Sequence, residues 1–144
     1  AYGVASPRHP AELDQELSAR AGHAVKASFT PRLLPMNRGI LSTVYGELAA
    51  GVGIEEAQAV LHDFASREAF VVHAQGSTPV ATRFVRSTNR VMVDLKADRR
   101  DGSFILLSAI DNLTKGSSGQ AFQNFNVAFG LEETTGLHLV SAFP

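Results

Sequence analysis

The run S-F-I-L-L-S-A-I at positions 103–110 constrains the fold more than any other stretch. Its apolar residues do not alternate, so both faces of a strand built from it must be covered, which places that strand inside a sheet. Just upstream, R-V-M-V-D-L-K-A sets Val91, Val93 and Leu95 against Met92, Asp94 and Lys96, the period of a half-buried strand. The linker D-R-R-D-G ends in glycine and turns one strand into the other. A hairpin with a central strand therefore anchors the chain.

The remaining segments build around it. From Pro10, P-A-E-L-D-Q-E-L-S-A-R-A-G spaces Leu13, Leu17 and Ala21 along one helix face and stops at Gly22. A-V-K-A-S-F-T at 24–30 reads as a strand, and two prolines and a glycine make T-P-R-L-L-P-M-N-R-G a loop. Gly39 to Leu48 is rich in β-branched and aromatic residues and reads as a second strand. A helix over I-E-E-A-Q-A-V-L-H-D-F-A-S-R-E-A carries Ile54, Ala57, Val60, Leu61 and Phe64 on one face, and F-V-V-H-A is a short strand. The last helix follows the glycine- and serine-rich turn T-K-G-S-S-G, with Phe122, Phe125 and Phe129 forming a core-facing stripe. Strands and helices mix without strict βαβ alternation. The expectation is a single α+β domain over residues 1–144, a mixed or antiparallel sheet with helices mainly on one face.

Composition narrows the function. Fourteen acids against thirteen bases leave no single-sign surface, which argues against a nucleic-acid partner. No apolar run reaches the length of a membrane span. With no cysteine, the chain supplies no disulfide, thiolate metal ligand or thiol nucleophile. The opening A-Y-G-V-A lacks an initiator Met and starts inside an apolar stretch, as expected of part of a longer protein.

Several residues stand out as candidates for chemistry. His9, in S-P-R-H-P before a helix, has little apolar reason to be there, and His is the usual general base. His23, His62, His73 and His138 form no H-x-H or H-E-x-x-H and read as bystanders, with no metal site expected. Asn37 and Arg38, held between Pro35 and Gly39, can grip a carboxylate or phosphate, or sit as solvated loop residues. G-V-G-I-E-E at 51–56 begins like a dinucleotide loop, but its two carboxylates suit a bare helix start instead. In D-N-L-T-K-G-S-S-G-Q-A-F-Q-N-F-N, a glycine-rich turn before a helix first suggests phosphate. Gln120, Gln123, Asn124 and Asn126, beside Asn112 and Lys115, could instead meet an amide-bearing ligand or pair across a subunit boundary. Gly116, Ser117, Ser118, Gly119 and Ala121 let another group approach the backbone closely.

Two long segments, F-T-P-R-L-L-P-M-N-R-G-I-L-S-T-V-Y and D-N-L-T-K-G-S-S-G-Q-A-F-Q-N-F-N-V-A-F-G-L-E-E-T-T-G-L, resemble the N-acetyl-gamma-glutamyl-phosphate reductases of arginine biosynthesis. The resemblance runs in order from Y-G-V-A through P-R-H-P-A-E-L to the C-terminal end and covers the C-terminal part of the family's enzymes. It implies a cytoplasmic oxidoreductase with a domain like the C-terminal domain of glyceraldehyde-3-phosphate dehydrogenase-like enzymes, partnered by an N-terminal NADP-binding domain. A cysteine of that other domain attacks the acyl phosphate, phosphate leaves, and hydride from NADPH reduces the thioester to the semialdehyde. The family's H-R-H-x-x-E-[IL] pattern falls on P-R-H-P-A-E-L, which makes His9 the implied catalytic base although its first histidine is Pro7 here. Arg8, Asn37 and Arg38 fall where substrate phosphate or carboxylate is held. Asn112, Lys115, Gly116, Gly119 and Gln120 fall along the NADP(H) and active-site cleft. The resemblance further implies a homo-oligomer, no activity for this chain alone, and a final helix that completes the cofactor domain, leaving its phenylalanines partly exposed. A lysine-pathway aminoadipyl-phosphate reductase and a non-catalytic dimerisation module derived from the domain are the alternative readings.

Overall fold

A computed structural model describes residues 8–74 and 76–141, with the side chain of Arg8 excluded. Pro7 and the A-Y-G-V-A opening lie outside the described residues. The chain divides into two compact units, one ending at Met36 and one starting at Asn37.

The first unit holds helix α1, Arg8–Ala21. It ends where expected: Gly22 takes φ +71°, and its N–H reaches the Ser18 carbonyl at 3.0 Å. The strand expected at 24–30 does not form. Its backbone groups are claimed by side chains of α1 instead of a ladder. Ser18 Oγ accepts the Val25 N–H at 2.8 Å, and Asp14 Oδ1 accepts the Ala27 N–H at 2.9 Å. A segment whose polar groups are satisfied locally has no need of a strand partner.

The second unit is a four-stranded sheet with two helices. Its elements are β1 Ile40–Glu47, α2 Ile54–Arg67, β2 Val71–His73, β3 Val91–Ala97, β4 Ser103–Ile110 and α3 Gly119–Ala128. The order β1-β4-β3-β2 makes β4 an interior strand, antiparallel to β1 and β3, while β2 joins β3 in parallel. The α+β class, the mixed sheet and the β3–β4 hairpin match the sequence pattern. Gly102, at φ +70°, makes the hairpin turn.

Helix α2 packs on β2 and β3 and starts after Gly53, with Glu55 and Glu56 in its first turn, as G-V-G-I-E-E implied. Its inward stripe differs from the expected one. Ala65 is buried and Ile54, Ala57, Gln58 and Leu61 are half-buried, whereas Val60 and Phe64 face outward. Strand β3 also departs from the simple alternation, since Met92 and Asp94 are buried along with Leu95. Met92 joins Ala74, Val85 and Ala109 in the core, beneath Val80 and Phe84. Asp94 tolerates burial because Lys96 Nζ lies 2.8 Å from its carboxylate.

The glycine- and serine-rich stretch is not a loop feeding a helix N-terminus. Residues Thr114–Ser118 form a π-helical turn continuous with α3. Gly116 N–H bonds the Asp111 carbonyl at 2.9 Å and Ser118 N–H bonds the Leu113 carbonyl at 3.2 Å, each reaching back five residues. The phenylalanine stripe of α3 is not core in this chain. Phe122, Phe125 and Phe129 are 58%, 50% and 70% exposed, with rings in tilted contact along the helix.

Candidate functional site at the Arg38–Asp111 junction

The antiparallel register pairs Ile40 with Ile110, so the residues just before β1 must meet those just after β4. Arg38 Nη2 lies 3.2 Å from Asp111 Oδ1 and 3.0 Å from Oδ2. Gly39 donates its N–H to Asn112 Oδ1 at 2.7 Å. At φ +109°, Gly39 adopts a backbone that side chains rarely share. A Cβ there would lie 2.7 Å from Thr82 Cγ2, so no larger residue fits beside Thr82.

Asp111 is 1% exposed and organises the junction. Besides Arg38, it accepts N–H groups from Ser87 at 2.6 Å, Leu113 at 2.8 Å and Thr114 at 3.1 Å. Burial works to raise its pKa, but the Ser87, Leu113 and Thr114 amides and the Arg38 guanidinium outweigh it and hold the carboxyl below its ordinary value. Ser87 takes φ +63° to aim its N–H at the carboxylate. The Arg38 guanidinium is thereby fixed at one edge. Its Nε is buried without a hydrogen-bond partner, as is Nε of Arg86, next to Ser87.

The π-turn leads into a second polar network. Gly119 is buried, and a Cβ there would run into Asn89 Oδ1 and Thr114. Asn89, fully buried, donates to Gln123 Oε1 at 2.9 Å, and Lys115 Nζ donates to the same oxygen at 2.7 Å. Gln123 in turn donates to Glu133 Oε1 at 2.6 Å. Burial lowers the Lys115 pKa, opposed by Glu133 and Glu68. Asn126 is buried and donates to the carbonyls of Glu133 and Thr135. Two of the amides in the run are thus internal braces. Gln120 and Asn124 bond each other at 2.8 Å on the exposed face. A Cβ at Gly116 would meet the Asp111 carbonyl at 3.5 Å, an ordinary contact, so a larger residue has room there.

The candidate residues therefore fall into groups. Arg38, Gly39, Asp111 and Asn112 are brought together, with Asn37 exposed beside them. Lys115 and Gln123 are joined through one hydrogen bond. His9 and Arg8 belong to the first unit, where His9 is exposed with its ring edge-on to Phe29 at 5.9 Å. Asp111, Ser87 and Thr82 were missed by the sequence reading. The available signal was an acid placed at the end of an interior apolar strand.

A family profile described as semialdehyde dehydrogenase, dimerisation domain, matches residues 1–112. A protein of Pelotomaculum thermopropionicum named N-acetyl-gamma-glutamyl-phosphate reductase is 50% identical over 145 residues, covering 100% of this chain and 42% of its own length. Proteins of the same name from Moorella thermoacetica and Prochlorococcus marinus are 48% and 44% identical over 144 residues, each covering 99% of this chain and 41% and 40% of their own lengths. The chain thus spans about two-fifths of the length of these curated relatives. The mixed α+β sheet agrees with that profile, and the chain belongs to the semialdehyde dehydrogenase dimerisation-domain family.

Proposed function

We propose that this chain is the C-terminal part of an NADP(H)-dependent reductase that converts N-acetyl-glutamyl 5-phosphate to N-acetyl-glutamate 5-semialdehyde and phosphate in the cytoplasm. The observation that carries the reading is Arg38, locked by a buried carboxylate yet with guanidinium donors to spare. A fixed guanidinium matches the paired oxygens of a phosphate or carboxylate and loses little freedom on binding them. Asn37 and Arg8 supply further donors to the substrate. His9 is the general base, exposed and able to exchange protons with a thiol and with the developing oxyanion.

The cofactor supplies hydride when bound, and the residues here fit one wall of its cleft. Asn112 spends Oδ1 on the Gly39 amide, which leaves its Nδ2 to donate to a carboxamide. Lys115 is held at partial burial by Gln123, Gly119 keeps the π-turn close-packed beneath it, and Gly116 lies exposed on the same turn. Gln120, half-buried on the same helix, is bonded to Asn124. The rest of the cleft, the thiol nucleophile included, belongs to another part of the longer protein, and the whole enzyme works as a homo-oligomer.

The test is NADPH oxidation driven by the acyl phosphate. The longer protein carrying this chain is expected to turn over, and the 144-residue chain alone is expected to be inactive. A genuine rate from the chain alone, or no acyl-phosphate-dependent rate from the longer protein, would overturn the reading.

A further inference from the structure

Away from the Arg38 junction, a cavity of about 470 Å³ opens between α2 and the sheet, lined by Gln58, His62, His73, Asp94 and Lys96. The reductase reading uses none of these residues. His62 of α2 and His73 of β2 meet across it, Nδ1 to Nδ1 at 3.4 Å, with ring centroids 5.6 Å apart. Two imidazole nitrogens that face each other need something between them, either a shared proton or a cation. Nitrogens bound at roughly 2.0–2.1 Å to a tetrahedral zinc ion stand about 3.3–3.4 Å apart. That is the separation observed.

The far side of His73 suits ligation through Nδ1. Its Nε2 lies 3.6 Å from Asp94 Oδ1, a buried carboxylate whose other oxygen is held by Lys96 at 2.8 Å. The contact is electrostatic, and the carboxylate makes Nε2 the favoured place for the imidazole proton, with Nδ1 turned toward His62. It is a looser form of the carboxylate–histidine–metal arrangement by which proteins orient a ligating imidazole. Among the described residues no group of three or more His, Cys, Asp or Glu side chains converges on a metal position. The shell would therefore be completed by water, for which the open cavity leaves room.

We propose that His62 and His73 form a two-imidazole site for a divalent transition metal of the zinc class. Both ligate through Nδ1, and Asp94 is the positioning residue for His73.

The test titrates the protein with ZnCl2 by calorimetry, with long-range proton–nitrogen NMR of the imidazoles as a second readout. One ion per chain is expected, with Nδ1 of both residues shifted and Cu²⁺ bound more tightly than Zn²⁺. His62→Ala and His73→Ala should each abolish it, while His23→Ala leaves it intact. His62 is exposed on its helix, so its variant is expected to fold, which circular dichroism checks. Asp94→Asn should weaken binding about 10- to 100-fold. No zinc uptake by the wild-type protein, uptake that survives His62→Ala, or shifts confined to Nε2 would overturn the site. Unchanged affinity in a folded Asp94→Asn would overturn the role given to Asp94.

Discussion

Arg38 meets Asp111 at 3.0 Å, and the carboxylate is buried while the arginine side chain stays one-third exposed. The pair is asymmetric: Asp111 also serves the amides of Ser87, Leu113 and Thr114, whereas Arg38 keeps donors free. Losing Asp111 orphans three amides and a guanidinium. Losing Arg38 leaves a carboxylate that is still well served. We expect Asp111→Ala to cost more stability than Arg38→Ala, by about 1.5–3 kcal/mol, the scale of hydrogen bonds to charged groups. Urea denaturation of both variants measures the difference, and equal losses would contradict the asymmetry.

The same carboxyl predicts an acid limb. Its native pKa lies below the ordinary 3.8, so its contribution is fully present above that value. As pH falls below 3.8 the unfolded chain takes up the proton first, and stability drops until the native group also protonates. Unfolding free energy followed from pH 6 to pH 2 should therefore decline more steeply in wild type than in Asp111→Asn. Parallel curves would remove Asp111 as a source of acid sensitivity.

Gly39→Ala combines a disfavoured φ with a clash against Thr82. Strain of this kind costs on the order of 1–3 kcal/mol. A second change, Thr82→Gly, removes both the Cγ2 and the Cβ that the new methyl would meet at 2.7 and 2.8 Å, and should recover the steric part of the lost thermal stability but not the backbone part. Full recovery would mean that φ contributes nothing.

Much of this fold was legible because hydrophobic period and chain punctuation decide it. The 103–110 run became the interior strand, and Gly22, Gly53 and Gly102 mark boundaries where the sequence put them. The errors share a cause: each depended on a neighbour that the local pattern does not contain. The segment at 24–30 has strand composition, yet Asp14 and Ser18 of α1 satisfy its amides. The 122–129 helix has a core-like stripe, yet its phenylalanines are exposed in this chain. At the candidate site Arg38 and Asn112 stood out, but Asp111 did not, because only the β1–β4 register sets it beside Arg38. The His62–His73 pair, eleven residues apart on a helix and a strand, matches no ligand motif and was invisible for the same reason.

Catalysis is tested in the longer protein. His9→Ala should lower turnover about 100-fold or more, the usual range for a general base. Arg38→Ala should act mainly on the apparent affinity for acyl phosphate. Unchanged turnover in the first, or unchanged affinity in the second, removes that residue from its role.

The α3 stripe makes its own prediction. Fully burying a phenylalanine is worth about 1.5–3 kcal/mol, so three half-exposed rings in a row favour association. Phe125→Ser is expected to lower concentration-dependent association of the 144-residue chain in sedimentation velocity and to reduce binding of a hydrophobic dye. Identical sedimentation would mean that the stripe is not the associating surface.

The Arg38–Asp111 pair and the Gly39–Asn112 hydrogen bond each join residues 73 positions apart. Nothing local holds either contact, so the geometry around Arg38 comes into being only when β1 closes onto β4. Such a loop is slow to close, and topology of this kind sets folding speed more than stability. The junction therefore depends on a contact of high sequence separation. A mutation in β4 that lets the sheet fray at its β1 edge would loosen the Arg38–Asp111 junction without touching either residue.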